Sequence, residues 1–220
     1  MCAKIEISAW QKVPFGLQFR AMLNLTVAII AGGQSRRFGS DKTLAPLFGK
    51  PLIAWVAEGA STVTDDVLII SKDRGKYAFL KNVRQFEDIY DVQCPLVGLL
   101  TAFHHGRYDT VFMISADMPA FPFAALDMMY RAMGSADAVL PFIGDRYYPT
   151  AALYHRRTGD IFTEMLKKEN YKLVNALHVL DTVVLDREDF APFDTDGSAF
   201  INTNTPEDLR RLEELKKQDG

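Results

Sequence analysis

Short apolar runs recur along the chain, and segments with helix-like spacing of apolar residues lie between them. The runs predict strands over 26–31, 67–70, 110–115, 137–141 and 182–185. Because apolar residues occupy consecutive positions in these runs, the strands are expected to be buried on both faces. Burial of both faces is typical of a parallel sheet that helices cover on each side.

The segments between the runs carry helix signals. Pro51 stands where a first helical turn begins, and the apolar residues that follow it repeat on one face. Those residues are Leu52, Ile53, Val56, Ala57 and Ala60. The same spacing predicts further helices over 95–106 and 121–133, on either side of the third apolar run.

The alternation of strands and helices predicts an α/β fold with three layers and a mainly parallel sheet. Near the end of the chain, Thr205 as N-cap and Pro206 as the first helical residue mark a final helix. No internal repeat or flexible linker interrupts the pattern, so residues 25–220 are expected to form one domain. Residues 1–24 do not fit the pattern, and they are either a short arm or strand, or a segment upstream of an alternative start at Met22.

The composition is that of an ordinary folded protein, and it limits the choice of partners. Hydrophobic residues at 48%, charged residues at 24% and a net charge of −3 give no reason to expect nucleic acid. No apolar stretch approaches the roughly 20 residues of a membrane span. Cys2 and Cys94 show neither metal-ligand spacing nor a disulfide framework, which favours the cytoplasm. Any anion site must be local, and Arg36, Arg37 and Lys42 form a candidate cluster.

The stretch AIIAGGQSRRFGSDKTL at 28–44 has the features of a phosphate-binding loop. It has neither the glycine spacing of a dinucleotide fingerprint nor the Gly-Lys-Ser/Thr of a Walker loop. A glycine pair, Gly32 and Gly33, comes directly after the predicted buried strand, where backbone N–H groups can approach anionic oxygens. Arg37 and Lys42 follow within reach of a triphosphate. The alternative is a solvated basic loop.

Asp117 follows the apolar strand at 110–115, which places a carboxylate at the carboxyl end of a buried strand. Ligands bind at this edge of open α/β sheets, and magnesium needs only one or two carboxylates when phosphates and water complete its shell. The alternative is a turn or capping aspartate before Pro119. Phosphoryl-type transfer needs positioned charge more than a protein nucleophile, so the lack of a Ser-His-Asp set fits such chemistry.

Other polar residues are ambiguous when taken alone. Asp88 has Glu87 and Asp91 beside it, so a solvated acidic loop is as good an explanation as a functional site. Asn202 and Asn204 read equally well as turn or capping residues.

Ala31 through Lys42 resembles the signature loop of molybdenum cofactor guanylyltransferases, A-G-G-x-S-x-R-[FM]-G-x-D-K. Further segments resemble later motifs of that family: FEDIYDVQCPLVGLLTAF, ISADMP, PTAALY and FINTNTPEDL. The resemblance covers about 25–215. It implies a Rossmann-like three-layer α/β/α fold of the nucleotide-diphospho-sugar transferase type. It also implies GTP and molybdopterin as substrates, Mg2+ as cofactor, transfer of GMP to the molybdopterin phosphate with release of pyrophosphate, and other cofactor-biosynthesis or acceptor proteins as partners.

The resemblance also implies roles for individual residues. The residues implied to bind the nucleotide are Ile30, Ala31, Gly32, Gly33, Lys42, Asp88 and Asp117. Among them, Lys42 would contact phosphate and Asp117 would be the metal ligand. Arg37, Lys42 and Asp117 are implied to be catalytic, and Asn202 and Asn204 match asparagines on the acceptor side.

The chain departs from the family pattern at two places. Cys94 stands where the family usually has glycine before Pro-Leu, and Ile70 and Ser71 stand where some members have an asparagine. The family also more often has leucine at the position of Ile30.

Two alternatives to guanylyl transfer stay open. The first is a nucleotidyltransferase that uses another nucleotide, such as CTP, or a sugar-phosphate acceptor, because nothing in the loop itself reads the base. The second is a non-catalytic nucleotide-binding module, against which the presence of both Lys42 and Asp117 counts. A dehydrogenase is disfavoured because its glycine fingerprint is absent.

Overall fold

The computed structural model describes residues 22–32, 41–73 and 75–218. The strands are β1 (Thr26–Ile30), β2 (Pro46–Leu47), β3 (Lys50–Pro51), β4 (Val67–Ile70), β5 (Arg84–Phe86), β6 (Thr110–Ser115), β7 (Ala138–Ile143), β8 (Arg146–Tyr147), β9 (Ala151–His155) and β10 (Thr182–Leu185). The helices are α1 (Leu52–Ser61), α2 (Pro95–His105), α3 (Leu126–Met133), α4 (Gly159–Lys167), α5 (Arg187–Phe190) and α6 (Pro206–Gln218). Short 3-10 segments lie at Lys42–Leu44, Phe123–Ala125, Arg156–Thr158 and Leu173–His178. Within these ranges, no helix combines the length and apolar character that a membrane crossing requires.

The central sheet is mainly parallel, as the sequence predicts. Its strand order is β10-β7-β9-β6-β1-β4-β5, with β8 paired to β7. The pairs β1 with β4, β1 with β6, β4 with β5 and β7 with β10 are parallel. Strand β9 runs antiparallel between β6 and β7. The sequence identifies AALY only within a family motif and does not predict this strand. Its antiparallel direction could not be predicted either, because an apolar run does not specify the direction of a strand.

Helices cover both faces of this sheet. In β1, Val27 and Ile29 pack into the cluster that includes residues of α1, α3 and α5. Ala28 points to the opposite face, where residues of α2 and α4 form a second cluster. Alternate strand residues therefore enter two different cores, as the strand period of two requires. This arrangement confirms the predicted three layers.

Strand β10 departs from the expected burial on both faces. Val184 is 48% exposed, whereas the side chains of β4 are all buried. The cause is its position, because β10 lies at the edge of the sheet that the described strands form and pairs there with β7. The sequence TVVL predicts a strand correctly, but it does not indicate whether the strand lies at the centre or the edge.

The register of three neighbouring strands aligns their carboxyl ends. Ile30 of β1 is opposite both Ile70 of β4 and Ser115 of β6. The backbone continues the alignment, since the Ala31 amide donates to the Ile70 carbonyl at 2.9 Å and the Ala116 amide donates to the Ile30 carbonyl at 3.1 Å. The segments that follow these strands therefore leave the sheet side by side, at the edge where open α/β folds bind ligands.

Candidate active site

Lys42, Asp117 and Asn204 meet at the carboxyl edge of the sheet. The Lys42 ammonium forms an ion pair with Asp117 Oδ2 and donates a hydrogen bond to Asn204 Oδ1 at 3.0 Å. Asp117 is buried and Lys42 is partly buried, so solvent screens this pair less than a surface pair. The structure thus brings together three residues that the sequence analysis selected from distant parts of the chain.

Asp117 is held in place through its own backbone. It lies two residues beyond β6, and its carbonyl accepts hydrogen bonds from the Thr203 amide at 2.8 Å and from Thr203 Oγ1 at 3.0 Å. Thr203 is fully buried, and it ties the segment before α6 to the end of β6. Thr203 is not predicted as a site residue from the sequence. The only signal for it is its place between two asparagines that match a family motif.

One oxygen of the Asp117 carboxylate has no hydrogen-bond partner among the described residues. Asp117 Oδ1 is buried and accepts no hydrogen bond from any residue in the described ranges. A buried carboxylate oxygen without a donor is unfavourable, and a cation is one means of satisfying it. Among the described residues no three His, Cys, Asp or Glu side chains cluster as metal ligands. Asp117 therefore fits a magnesium ion that takes its remaining ligands from phosphates and water.

Asp88 faces the start of the glycine loop. A Cβ atom placed on Gly32 would lie 4.0 Å from Asp88 Oδ2. Burial raises the pKa of Asp88 above its ordinary value, and the nearby Lys72 ammonium acts in the opposite direction. The next residue is anchored, because the Ile89 amide donates to Thr101 Oγ1 at 3.1 Å. The carboxyl group therefore lies beside the backbone where the loop leaves β1.

The beginning of α2 packs directly on the end of β1. A Cβ atom on Gly98 would lie 2.8 Å from Ile30 Cδ1, the far end of a flexible side chain, so a larger residue here would require Ile30 to shift. Cys94 precedes the helix with φ −154° and ψ 158°, an extended conformation that any residue adopts. The backbone at Cys94 therefore does not need the glycine that the family usually has there.

Some of the predicted site residues lie outside the described ranges. Gly33, Arg36 and Arg37 belong to 33–40, so their roles stay predictions. Ala31 is buried at the end of β1, next to Gly32.

Ile70 and Ser71, which stand where the family pattern leads us to expect an asparagine, have ordinary structural roles. Ile70 is buried in the core at the end of β4, and Ser71 Oγ donates to the Asp73 carbonyl at 2.9 Å.

Asn202 is part of the segment that Thr203 anchors, and its carbonyl accepts from the Asn204 amide at 3.1 Å.

Comparison with known proteins identifies the family of the chain. Residues 27–182 match the family model described as a MobA-like NTP transferase domain. The chain is 31% identical over 192 residues to the probable molybdenum cofactor guanylyltransferase of Haloferax mediterranei, covering 84% of this chain and 90% of that protein. It is 29% identical over 195 residues to the protein of the same description from Natranaerobius thermophilus, covering 86% and 94%.

A solved structure has the same architecture. Molybdopterin-guanine dinucleotide biosynthesis protein A from Archaeoglobus fulgidus matches with a TM-score of 0.76 and 28% identity, covering 88% of this chain and 99% of that one. The match confirms the predicted Rossmann-like α/β/α fold of the nucleotide-diphospho-sugar transferase type.

Proposed function

The chain belongs to the MobA-like NTP transferase family and is a nucleotidyltransferase, and we propose that it transfers GMP from GTP to the phosphate of molybdopterin. The observation that carries this proposal is the meeting of Lys42, Asp117 and Asn204 at the edge of the sheet where the signature loop begins. The names of the relatives supply the nucleotide and the acceptor. The product would be the guanine dinucleotide form of the molybdenum cofactor.

The proposed reaction is a displacement at phosphorus. An oxygen of the molybdopterin phosphate attacks the α-phosphorus of GTP and forms a new P–O bond. The bond from the α-phosphorus to the oxygen bridging the α- and β-phosphates breaks, and pyrophosphate leaves with its electron pair. The attacking oxygen is already ionised at neutral pH, so no protein base is required. The work of the protein is to position the reactants and to neutralise growing negative charge.

The described residues supply the groups for this work. Lys42 would place a positive charge beside the phosphates, and Asp117 Oδ1, which has no hydrogen-bond partner among the described residues, would hold Mg2+. When bound, the ion would neutralise phosphate charge. Asp88 and Ile30, which lie close to the start of the loop, would face the nucleotide. Asn202 and Asn204 would face the acceptor, on the segment that Thr203 fixes against Asp117.

Three further parts of the proposal rest on the sequence. Arg37 and the backbone of Gly33 would complete the phosphate site within 33–40. The protein would act in the cytoplasm. Other cofactor-biosynthesis or acceptor proteins would deliver molybdopterin or receive the product.

A thermal-shift panel of GTP, CTP, ATP and UTP with magnesium tests the choice of nucleotide. A ligand that binds only the folded state raises the unfolding temperature, and the shift grows with the logarithm of the ratio of ligand concentration to dissociation constant. We expect GTP to give the largest shift at equal concentrations. Equal shifts for all four, or a larger shift with CTP, would overturn the guanylyl assignment and leave a transferase for another nucleotide.

A further inference from the structure

Asp41 and Thr43, the residues on each side of Lys42, are joined by hydrogen bonds. Asp41 Oδ1 accepts hydrogen bonds from the Thr43 amide at 3.0 Å and from Thr43 Oγ1 at 2.7 Å. The other oxygen of Asp41 forms an ion pair with Lys76, which lies in the turn between β4 and β5. The two neighbours of Lys42 are therefore joined to each other and to a second segment of the chain.

The threonine extends this connection into the core. Thr43 Oγ1 lies 2.9 Å from the hydroxyl of Tyr77, and Tyr77 is fully buried. An ionised carboxylate only accepts, so the Thr43 hydroxyl donates to Asp41 and the Tyr77 hydroxyl donates to Thr43. Burial raises the pKa of Tyr77, which keeps its hydroxyl protonated and able to donate. The hydrogen bonds thus run in one direction, from Tyr77 through Thr43 to Asp41.

The segment that carries Lys42 depends on such support. It is a 3-10 helix of three residues, and its own backbone bonds include Leu44 N to the Asp41 carbonyl at 3.1 Å and Ala45 N to the Lys42 carbonyl at 3.0 Å. A helix this short has poor hydrogen-bond geometry and little intrinsic stability. The direction in which the long Lys42 side chain leaves the backbone is therefore set by its neighbours.

We infer that Tyr77, Thr43 and Asp41 are positioning residues that hold Lys42 in the direction needed to reach the triphosphate of the nucleotide. This inference rests on the proposed role of Lys42 in phosphate neutralisation. The Tyr77 hydroxyl acts through Lys42 and does not itself contact the substrate. Because Tyr77 and Lys76 follow β4 while Lys42 follows β1, the hydrogen bonds and the ion pair join two segments that come after adjacent strands of the sheet.

Removal of either hydroxyl tests the inference. Tyr77→Phe and Thr43→Val keep the shape of each side chain, and we expect each to lower kcat/KM for GTP by roughly tenfold through misplacement of Lys42. Thr43→Ser retains the hydroxyl and should recover most of the loss. Tyr108→Phe is the matched control, since the Tyr108 hydroxyl donates to Asp65 at 2.8 Å near the amino end of β4. Its kcat/KM should stay within twofold of wild type.

The same variants in a Lys42→Ala background separate positioning from general support of the fold. If the hydroxyls act through Lys42, their removal should cost less than about twofold once the lysine is gone. A tenfold loss that persists in this background, or no loss in the wild-type background, would overturn the inference. A Lys42→Ala enzyme within threefold of wild type would instead overturn the proposed role of Lys42. Thermal unfolding of each variant shows that it is folded, and the Thr43→Val and Thr43→Ser pair decides the question if Tyr77→Phe does not fold.

Discussion

Lys42 is held between a buried carboxylate and an amide oxygen, and its charge is therefore fixed in place before a nucleotide arrives. A preorganised charge of this kind costs no reorganisation in the transition state, and removing one typically lowers the rate by about 10²–10³-fold. We expect Lys42→Ala to lose a factor in this range in single-turnover experiments with saturating GTP and acceptor. Lys42→Arg should recover only part of it, because a planar guanidinium cannot occupy the position of an ammonium.

Lys50 is the control for this prediction. Lys50 Nζ lies 2.5 Å from Glu58 Oε2 and 3.3 Å from the centre of the Trp55 ring. Lys50→Ala should therefore lower stability slightly and leave turnover unchanged. A Lys42→Ala rate within threefold of wild type would contradict the phosphate role of Lys42.

Asp117→Asn separates charge from shape. Asparagine retains the size of the side chain but removes the negative charge that a magnesium ion requires, so pyrophosphate release should collapse while the protein stays folded. Pyrophosphate release and circular dichroism measured together check both parts of this expectation. Asp127→Asn, which removes a partner of Arg131 on α3, should change neither. Near-normal release by Asp117→Asn across a magnesium titration would rule out the metal role.

The raised pKa of Asp88 predicts that its contribution to the free energy of unfolding decreases as pH rises. Its raised pKa means that the folded state binds the proton more tightly than the unfolded state. The unfolding free energy therefore falls as pH rises from the ordinary value of 3.8 through the raised pKa, and the loss is complete above it. Asp88→Asn should be more stable than wild type at neutral pH, and denaturant unfolding at several pH values measures the difference.

Asp137→Asn is a control of opposite sign. Burial acts to raise the pKa of Asp137, but hydrogen bonds from Arg157 and the Asp181 amide hold it below its ordinary value. The carboxylate therefore stabilises the fold at neutral pH, and this contribution disappears as pH falls through the lowered pKa. Asp137→Asn should be less stable than wild type at neutral pH. An Asp88→Asn protein that is also less stable there would contradict the raised pKa of Asp88.

At the scale of elements, the approach of α2 to β1 depends on Gly98. Alanine at this position places a Cβ 2.8 Å from Ile30 Cδ1, so the Ile30 side chain, two residues before Gly32, must shift. The helix gains up to about 1 kcal/mol from alanine, which offsets part of the steric cost. We expect Gly98→Ala to remain folded but to bind GTP about fivefold more weakly, equivalent to roughly 1 kcal/mol.

Gly59→Ala provides the comparison for Gly98→Ala. Its Cβ would lie 2.4 Å from the Phe123 ring, in the core on the opposite face of the sheet. This variant should lose stability and, when folded, bind GTP normally. Calorimetric titration and thermal unfolding distinguish the two results, and equal effects of both variants on GTP affinity would refute a specific role for Gly98.

The sequence pattern predicts most elements but few of their contacts. The strands β4, β6 and β10 begin and end where the apolar runs do, and α6 begins at Pro206 as the capping signals indicate. Strand β5 was missed because RQF carries no apolar run, and its place in the sheet comes from pairing with β4. Local pattern is set by burial, whereas pairing is set by long-range packing that no window of sequence contains.

The same limit applies to the site. Asp117 can be predicted as a site residue because it comes after a buried strand. Lys42 can be predicted because it comes after a glycine pair. Asp88 and Asn204 needed the family resemblance, since an acidic loop and a turn explain them equally well. Thr203 and Tyr77 went unnoticed because their roles depend on hydrogen bonds between segments distant in the chain.

At the scale of the whole molecule, the described core begins close to Met22. The Leu23 amide donates to the Val63 carbonyl at 2.8 Å, and Leu25 is fully buried. These contacts and the predicted domain at 25–220 lead us to expect that a chain starting at Met22 folds and binds GTP normally. Circular dichroism and GTP titration of the shortened chain check this. Insolubility or loss of GTP binding would show that residues 1–21 contribute to the domain.

Transfer of labelled phosphate is the most direct test of the proposed reaction. The protein is incubated with molybdopterin, magnesium and GTP labelled at either the α- or the γ-phosphate. We expect the α-label to appear in a guanine dinucleotide and the γ-label to appear in pyrophosphate, in equal amounts, with little product when CTP replaces GTP. Appearance of the γ-label on molybdopterin, greater product from CTP, or no transfer of the α-label would contradict guanylyl transfer by this site.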